Sequence, residues 1–384
     1  MTELDPMSEI VVSPTLKPEL FKAGSVNGAA SDVLLDVQDL TVEFPSDDGP
    51  VRAVRGVSYQ LKAGESLGIV GESGSGKSVT SLAVLGLLPK SARVAGSVRF
   101  RGEQLLGKSD SQYASIRGSK IAMVFQDPLT SLNPVYNVGF QIAETILAHN
   151  DVSKKEARNR AIELLNVVGI PHAERRVDNY PHELSGGMRQ RVVIAIAMAN
   201  DPDVIIADEP TTALDVTVQA QVLEALQAAR AETGAALVLI THDLGVIAGH
   251  AERLCVMYAG KLVETGHVDE VFYHPRMPYS LGLLGSLPRL DVSGRGRLTP
   301  ILGSLPSLLN LPPGCPFAPR CPLAEELCDE QEPELIPAGG PGHLAACHFH
   351  DRLVDTRPEE VFEPTSADDS AIVVDLTPSG DPSE

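Results

Sequence analysis

Two kinds of hydrophobic pattern occur in the chain outside its ends. Apolar and polar residues alternate over residues 34–37 and 40–44, as in strands with one exposed face. Short, nearly all-apolar runs follow at residues 67–70, 204–207 and 236–240. Such runs are typical of parallel strands that are covered on both faces. The two patterns predict an α/β fold that opens with an antiparallel sheet and continues with a parallel one.

A helical pattern interrupts the strands between residues 133 and 200. Apolar residues recur at one-turn spacing there, for example at Ile142 and Ile146 and again at Ala157 and Ala161. We therefore expect a helical subdomain, about residues 127–200, inserted into the α/β core. The strand pattern then resumes, with another helix predicted over residues 216–232 and short strands closing the domain near residue 270.

The two ends of the chain differ in composition from this region. Residues 1–31 lack periodicity, and residues 351–384 carry ten acidic and two basic residues, so we predict a disordered tail at each end. Seven prolines between residues 275 and 313 disfavour long regular elements. We expect one main domain at residues 32–270 and a small Cys-rich extension at residues 271–350.

The overall charge narrows the choice of partners. The 384 residues carry a formal net charge of −20, which argues against binding nucleic acid through bulk charge. No apolar run approaches the roughly 18 residues of a membrane span, and the acidic N-terminal residues do not resemble a secretory signal. These features predict a cytosolic protein.

One glycine-rich stretch, residues 71–78, reads G-x-x-x-x-G-K-S. It lies between the apolar run at residues 67–70 and a run that we predict to be helical over residues 79–88. In this context, backbone N–H groups and the helix N-terminus point at an anion, so a phosphate-binding loop is predicted. Lys77 is expected to reach the β- and γ-phosphates and Ser78 to hold Mg²⁺. The residues assigned to nucleotide binding are Gly71, Glu72, Ser73, Gly74, Ser75, Gly76, Lys77, Ser78 and Val79.

Two further motifs narrow this prediction. Asp208 and Glu209 follow an apolar strand, where Asp208 is placed to act on Mg²⁺ and Glu209 to polarise an attacking water. Residues 184–191, L-S-G-G-M-R-Q-R, open a predicted helix, and the glycines let backbone N–H groups approach an anion. A second anion site is redundant within one nucleotide-binding chain, but it has a role if it caps the nucleotide of a facing subunit.

With these motifs the sequence resembles the ABC ATPases, whose LSGGQ signature completes the ATP site of a partner subunit; here Met188 replaces the Gln. The resemblance implies a P-loop, RecA-like ABC core in which Ser185, Gly186 and Gly187 contact the partner's ATP. It also implies a Q-loop glutamine that senses Mg²⁺, a D-loop at the dimer interface and a switch histidine on the γ-phosphate. The matching residues are Gln126, Asp215 in the A-L-D motif, and His242. Phe44 occupies the place of the aromatic that stacks on adenine, a role that we consider less suited to Arg55.

The resemblance covers about residues 31–350 and points to one subgroup. F-Q-D-P at residues 125–128, S-L-N-P at 131–134 and H-P-R-M-P-Y-S at 274–280 are similar to motifs of the oligopeptide/dipeptide import ATPases, although Met277 and Ser280 depart from the usual H-P-Y-T. This subgroup implies ATP and Mg²⁺ as ligands, a second and paralogous ATPase subunit, and two membrane-spanning permease subunits. It further implies a solute-binding protein that acts indirectly and a peripheral position on the cytoplasmic face of the cell membrane.

Alternatives to peptide import stay open at this point. Some relatives carry nickel or other solutes instead of peptides. The alternative from another functional class is a soluble ABC ATPase that acts on ribosomes or DNA. Such soluble proteins mostly carry two ATPase cores, or a coiled-coil or zinc insertion, none of which is visible here. A non-enzymatic regulatory module is disfavoured because Asp208, Glu209 and His242 are all present.

The late cysteines form a separate group. Five, six and 18 residues separate Cys315, Cys321, Cys328 and Cys347, without the C-x2-4-C pairs of structural zinc sites. Four thiolates on irregular loops favour a [4Fe–4S] cluster, and C-P-F-A-P-R-C-P resembles the peptide-importer extension in which some members hold one. Zinc, with His343 or His348 recruited, and free thiols are the alternatives. Cys255 lies in a strand-like run and is predicted to be a buried hydrophobic residue.

Overall fold

The computed structural model describes residues 32–212, 214–287 and 300–362, so the predicted tail at residues 1–31 and Ala213 lie outside the described residues. The α/β prediction is confirmed. The strands are β1 (Val33–Phe44), β2 (Val51–Lys62), β3 (Ser66–Val70), β4 (Arg93–Phe100), β5 (Glu103–Gln104), β6 (Ile121–Val124), β7 (Val204–Asp208), β8 (Ala236–Thr241), β9 (Arg253–Tyr258), β10 (Lys261–His267), β11 (Ile336–Pro337) and β12 (Leu344–Ala345).

Helices connect these strands and also form an inserted group of their own. They are α1 (Lys77–Val84), α2 (Asp110–Ala114), α3 (Pro128–Ser131), α4 (Val138–Leu147), α5 (Lys154–Val167), α6 (Ala173–Arg176), α7 (Gly186–Ala197), α8 (Val216–Thr233), α9 (Leu244–Ala248), α10 (Val268–Tyr273), α11 (Pro278–Gly285), α12 (Glu326–Glu330) and α13 (Pro358–Val361). Helices α3 to α7 occupy the interval between β6 and β7, where the helical spacing predicted them.

Two sheets organise the described strands. The opening strands form an antiparallel sheet in the order β2-β1-β4-β5. The larger sheet has the order β11-β12-β10-β9-β3-β8-β7-β6, and its strands from β9 to β6 are parallel. Because β3, β7 and β8 are neighbours and parallel, the loops that follow them meet at one edge of this sheet.

The larger sheet is covered on both faces, as its all-apolar strands predicted. In β7, Val204 and Ile206 pack with the antiparallel sheet and with the end of α1, whereas Ile205 and Ala207 pack with the inserted helices. This alternation follows from the two-residue period of a strand. The sheet therefore separates two hydrophobic cores, and both cores pack against the strands that lead into these loops.

The helix after the glycine-rich loop is shorter than predicted. It ends at Val84 rather than at residue 88. Gly86 has a φ of +61°, and the Leu87 N–H donates to the Leu82 carbonyl at 2.9 Å. A glycine in the left-handed region with such a bond closes a helix C-terminus, so this glycine rather than the later Pro89 stops α1.

The C-terminal extension is built into the main domain. Strand β12 pairs with β10 through Glu264 and Ala345, and Cys315 and Cys328 belong to the same hydrophobic core as the inserted helices. The predicted disordered tail at residues 351–384 is wrong for its first part. Residues 351–362 contain α13, and Phe362 is 4% exposed because its apolar ring adds to this core. The rest of that tail lies outside the described residues.

Candidate nucleotide site

The glycine-rich loop follows β3 in the middle of the sheet and leads directly into α1, as predicted. Gly76 has a φ of +104°, and a Cβ at this position would lie 2.5 Å from the Ala53 carbonyl oxygen. A larger residue would therefore clash and would also be strained. The loop is thus held against β2 with its backbone folded tightly around the start of α1.

Lys77, the first residue of α1, is held inside this loop. Its ammonium group donates to the carbonyl oxygens of Gly71 at 2.7 Å and Glu72 at 3.0 Å, and it lies 3.8 Å from a carboxylate oxygen of Glu209. Burial lowers the pKa of Lys77, although the neighbouring carboxylates oppose that shift. An incoming phosphate is a suitable partner for this cation in a weakly hydrated position.

Ser78 and Asp208 form the pair predicted to hold Mg²⁺. The Ser78 hydroxyl donates to the Asp208 carboxylate at 2.9 Å, although the two residues come from different elements. Burial raises the pKa of Asp208, and the bond from Ser78 only partly offsets this shift. A hydroxyl, a carboxylate and phosphate oxygens are ligands that Mg²⁺ accepts in nucleotide sites, so these residues fit the ion.

Glu209 is the centre of a hydrogen-bonded group at the sheet edge. Its φ is +46°, which is uncommon for a residue with a side chain, and its N–H donates to the Ile240 carbonyl at 2.9 Å. One carboxylate oxygen accepts from the Thr212 hydroxyl at 2.8 Å and from the Gln126 amide at 3.3 Å. The Nδ1 atom of His242 lies 3.4 Å from the same oxygen.

The structure therefore brings together Lys77, Ser78, Asp208, Glu209, Gln126 and His242. His242 is 56% exposed in its side chain, whereas the Glu209 side chain is 12% exposed. A nearly buried carboxylate beside an exposed histidine suits a water-polarising base next to a group that can contact a terminal phosphate.

The signature motif lies apart from this group. Ser185 caps α7 by accepting a bond from the Met188 N–H, and Asp215 caps α8 in the same way through the Val218 N–H. In the described ranges, no hydrogen bond or ion pair joins Ser185, Gly186 or Gly187 to the phosphate loop. These three residues are therefore not part of the hydrogen-bonded group around Glu209 in the described structure.

Two residues of the signature region have contacts that explain their positions. The Met188 sulfur lies 3.3 Å from a guanidinium nitrogen of Arg176. Gln190 is 1% exposed and donates to the Phe125 carbonyl at 3.4 Å, so it does not replace the missing signature glutamine at the surface. Instead, it connects the signature helix to the residue before Gln126.

The two residues considered for adenine stacking have different surroundings. Phe44 ends β1 half-buried and packs against the core beside the antiparallel sheet. Arg55 donates to both carboxylate oxygens of Glu332 at 2.9 Å and to the Ala259 carbonyl at 3.2 Å. Because its guanidinium is already engaged, Arg55 is poorly placed to stack on a base, whereas Phe44 stays a prediction.

The four late cysteines line one cavity of about 520 Å³ together with Phe317, Leu323 and Phe349. Burial raises the pKa of Cys321 to about 12 and that of Cys347 to about 11. Backbone N–H groups point at their sulfurs, for example from Phe349 to Cys347 at 3.4 Å. Within residues 32–212, 214–287 and 300–362, no three His, Cys, Asp or Glu side chains converge as ligands of a single metal ion.

Neither histidine considered for zinc turns toward these thiols as a free ligand. His343 is fully buried and its Nε2 atom lies 2.7 Å from Glu264, so the structure contradicts its recruitment. His348 lines the cavity, but its Nε2 atom is bonded to the Gln331 carbonyl at 2.8 Å. Cys255 is buried in β9 and contacts Thr265 at 3.4 Å, which confirms its prediction as a core residue.

Sequence reasoning missed several residues around the loop. Arg320 forms an ion pair with Glu72, Tyr279 accepts a bond from the Glu72 N–H at 2.9 Å, and Thr212 bonds to Glu209. Thr212 follows Glu209 by three residues and could have been considered. Arg320 and Glu72 lie 248 residues apart, and no local pattern signals their contact.

The phosphate loop, its magnesium pair and a separate signature helix define a P-loop nucleotide-binding protein of the ATP-binding cassette class. The profile of the ABC transporter family matches residues 54–212, and that of the oligopeptide/dipeptide transporter C-terminal region matches residues 263–328. No helix in the described part of the chain is long and apolar enough to cross a membrane.

Named relatives place the chain within this class. It is 50% identical to the oligopeptide transport ATP-binding protein OppD of Salmonella typhimurium, over 83% of this chain and 94% of the relative. It is 53% identical to the dipeptide transport ATP-binding protein DppD of Bacillus subtilis, over 84% of this chain and 96% of the relative. The chain belongs to the oligopeptide/dipeptide transport ATP-binding proteins of the ABC transporter family.

Two other comparisons add to this assignment. OppD of Mycobacterium tuberculosis is 54% identical over 89% of this chain, but the match spans only 57% of that relative's length. The ATP-binding cassette MJ0796, in a dimeric post-hydrolysis state bound to ADP and Pi, superposes with a TM-score of 0.55 at 28% identity. That match covers 61% of this chain and 99% of the cassette. The ABC cassette fold is therefore confirmed.

Proposed function

We propose that this chain is the ATP-hydrolysing subunit of an ABC importer for dipeptides or oligopeptides. The observation that carries the proposal is the group around Glu209, in which Gln126, His242 and Lys77 lie within 3.3, 3.4 and 3.8 Å of its carboxylate. The printed functions of OppD and DppD, relatives at 50% and 53% identity, support the peptide substrate.

Each residue of the nucleotide site has its own role in the proposed ATP hydrolysis. The phosphate loop and Lys77 bind the β- and γ-phosphates, and Ser78 and Asp208 are the residues that would hold Mg²⁺. Mg²⁺ would neutralise developing charge on the phosphate oxygens. Glu209 polarises the attacking water, Gln126 senses Mg²⁺, and His242 contacts the γ-phosphate. Phe44 stacks on adenine.

A second subunit completes each site. Ser185, Gly186 and Gly187 lie away from the chain's own loop, and they bind the ATP of a facing ATPase subunit, with Asp215 at the interface. We propose that the partner is a paralogue, so that the ATPase pair is a heterodimer. ATP binding then closes the pair and loss of the γ-phosphate opens it.

Further partners follow from the same role. Two membrane-spanning permease subunits receive the movement through Gln126 and the inserted helices, which places the chain at the cytoplasmic face of the membrane as a peripheral subunit. A solute-binding protein acts on the other side of the membrane, without contact to this chain. Nucleic acid has no part in this function.

The test is reconstitution in vesicles with the permease and ATPase proteins that copurify with the chain. We expect ATP hydrolysis that rises when a peptide-loaded binding protein is added. Lys77→Ala removes one of the two ATP sites of the pair, so it should lower both basal and stimulated hydrolysis to what the partner's site supplies. Stimulation by nickel or another solute instead of peptide would refute the substrate assignment. Hydrolysis unchanged in Lys77→Ala would refute the site.

We also propose that Cys315, Cys321, Cys328 and Cys347 hold a [4Fe–4S] cluster. Four thiols around one cavity, with backbone N–H groups directed at their sulfurs, suit a cluster that is bound at its corners rather than at one central atom. Zinc would need ligands that converge on a single ion, and His343 is already paired with Glu264.

Anaerobic purification tests this assignment. We expect a brown protein with absorbance near ~400 nm, about four irons per chain and no stoichiometric zinc. Cys321→Ser should lose colour and iron, whereas the matched variant Cys255→Ser, which changes a buried cysteine outside the cavity, should keep both. Stoichiometric zinc without iron would overturn the assignment.

A further inference from the structure

The Cys-rich extension contacts the phosphate loop through one arginine. Arg320 lies in the 3₁₀ turn Ala318–Arg320, directly before Cys321. Its two terminal nitrogens donate to the two carboxylate oxygens of Glu72 at 2.8 and 2.9 Å. The Arg320 side chain is 6% exposed. A nearly buried, bidentate pair of this kind fixes both the distance and the orientation of its partners.

Arg320 is itself held in place by other groups. Its Nε donates to the Leu302 carbonyl at 3.1 Å, and one terminal nitrogen donates to the Tyr258 hydroxyl at 3.3 Å. The guanidinium carbon also lies 5.9 Å from the ring centres of Tyr258 and Phe317. Because these protein groups hold the arginine in place, it can act as an anchor for the loop.

Glu72 connects Arg320 to the residues that bind phosphate. It is the second residue of the loop, and its N–H donates to the Tyr279 hydroxyl at 2.9 Å. Its carbonyl oxygen accepts from the Lys77 ammonium at 3.0 Å. The side chain of Glu72 is thus bound by the extension while its backbone binds the lysine that reaches the phosphates.

We propose that Arg320 is a positioning residue for the phosphate loop, acting through Glu72. The proposal rests on the ATP-binding role proposed above. Arg320 has two effects there. It holds the loop backbone in the conformation that directs Lys77, and it neutralises a carboxylate that would otherwise repel the phosphates of the nucleotide.

A separate contact keeps the extension attached when Arg320 is removed. Glu332, four residues after Cys328, binds Arg55 of β2 at 2.9 Å and Lys261 at 2.7 Å. Strand pairing between β12 and β10 adds a second attachment. Loss of the Arg320 side chain should therefore disturb the loop without releasing the extension from the domain.

The experiment measures the Kd of trinitrophenyl-ATP, with Mg²⁺, for the purified full chain. The variants are Arg320→Met, which keeps the buried apolar stem, Glu72→Gln, and the two combined. The control is Arg352→Met, because Arg352 also lines the cysteine cavity but is 58% exposed in its side chain and pairs with Glu325. Thermal unfolding of each variant verifies that it is folded.

We expect Arg320→Met to raise the Kd at least ~5-fold, since the Glu72 carboxylate, 27% exposed, would be left without its partner and would repel phosphate. The combined variant should recover part of the lost affinity, because the amide introduced by Glu72→Gln carries no charge but cannot restore the bidentate pair, and Arg352→Met should leave the Kd unchanged. A role in folding alone would lower the unfolding temperature and leave the Kd of the folded chain unchanged.

Two results would overturn the proposal: an unchanged Kd in Arg320→Met, or a combined variant that binds as weakly as Arg320→Met alone. If Arg320→Met does not fold, Arg320→Lys replaces it, with an expected Kd increase of about 2- to 5-fold and the same criteria. Failure of the unaltered chain to bind the nucleotide would instead refute the proposed ATP-binding function.

Discussion

Glu209→Gln tests the centre of the site with a minimal change of side chain. The glutamine oxygen can still accept the 2.8 Å bond from Thr212, and Gln resembles Glu in size, so the backbone at φ +46° need not move. Only the negative charge beside Lys77 and the ability to accept a proton are lost. ATP binding should therefore persist while the chemical step slows.

The expected size of the effect follows from the role of a general base. Loss of such a group lowers turnover by about 10²- to 10⁴-fold, or about 3 to 5 kcal/mol in activation free energy. The nearly buried carboxylate, 12% exposed, has Gln126 and His242 as neighbours, and neither can replace it as a base at the same position. We expect at least a ~10²-fold loss.

Single-turnover hydrolysis of radiolabelled ATP measures the chemical step, and titration with trinitrophenyl-ATP measures binding. The matched control is Glu163→Gln, which removes an exposed carboxylate on α5 that pairs with Arg160 and should change neither quantity. Turnover within about threefold of the original in Glu209→Gln would refute the assignment of the base. A parallel loss of binding would show that Glu209 acts on the ground state instead.

Two more predictions concern the signature helix and the magnesium pair. A Cβ at Gly187 would lie 2.2 Å from a Val218 methyl group, so Gly187→Ala should destabilise the fold by about 1 to 3 kcal/mol, and adding Val218→Ala should recover part of that loss. Urea unfolding of the original chain and of these two variants measures the change in stability, and equal midpoints would contradict the prediction. Burial raises the pKa of Asp208, so protons compete with Mg²⁺ at higher pH than at an ordinary aspartate, and Mg²⁺ affinity should fall as pH decreases through that raised pKa. Isothermal titration with Mg²⁺ and nucleotide over a series of decreasing pH values measures this Mg²⁺ affinity. Asp208→Asn should bind Mg²⁺ weakly, and its affinity should depend less on pH.

Much of the nucleotide site is local in sequence, and those parts could be predicted. The phosphate loop at residues 71–78 follows its strand and leads into its helix, and Asp208 ends another buried strand with Glu209 directly after it. Parallel strands bring such ends to one edge of a sheet, so the pairing of Ser78 with Asp208 follows from topology. Element ends were less accurate, since Gly86 rather than Pro89 closes α1.

The contacts of the extension and of the first tail residues could not be predicted because they join distant segments. The two-residue strand β12 joins the main sheet, and Phe362 is buried in a segment whose acidic composition indicated disorder. A prediction of disorder from composition uses the average over many residues. A single aromatic side chain that is buried in an apolar core can nevertheless order the residues beside it.

By itself, the sequence determined the candidates for the chemistry: a phosphate loop, a magnesium pair, a base and a signature motif. Only the tertiary structure decided how that chemistry is supported. Arg320 reaches Glu72 across 248 residues, and Gln190 turns inward to Phe125 instead of replacing a surface glutamine. A sequence motif identifies residues that act together within one turn or loop. A contact between remote segments, such as the ion pair of Arg320 with Glu72, depends on how those segments pack, and no local spacing predicts it.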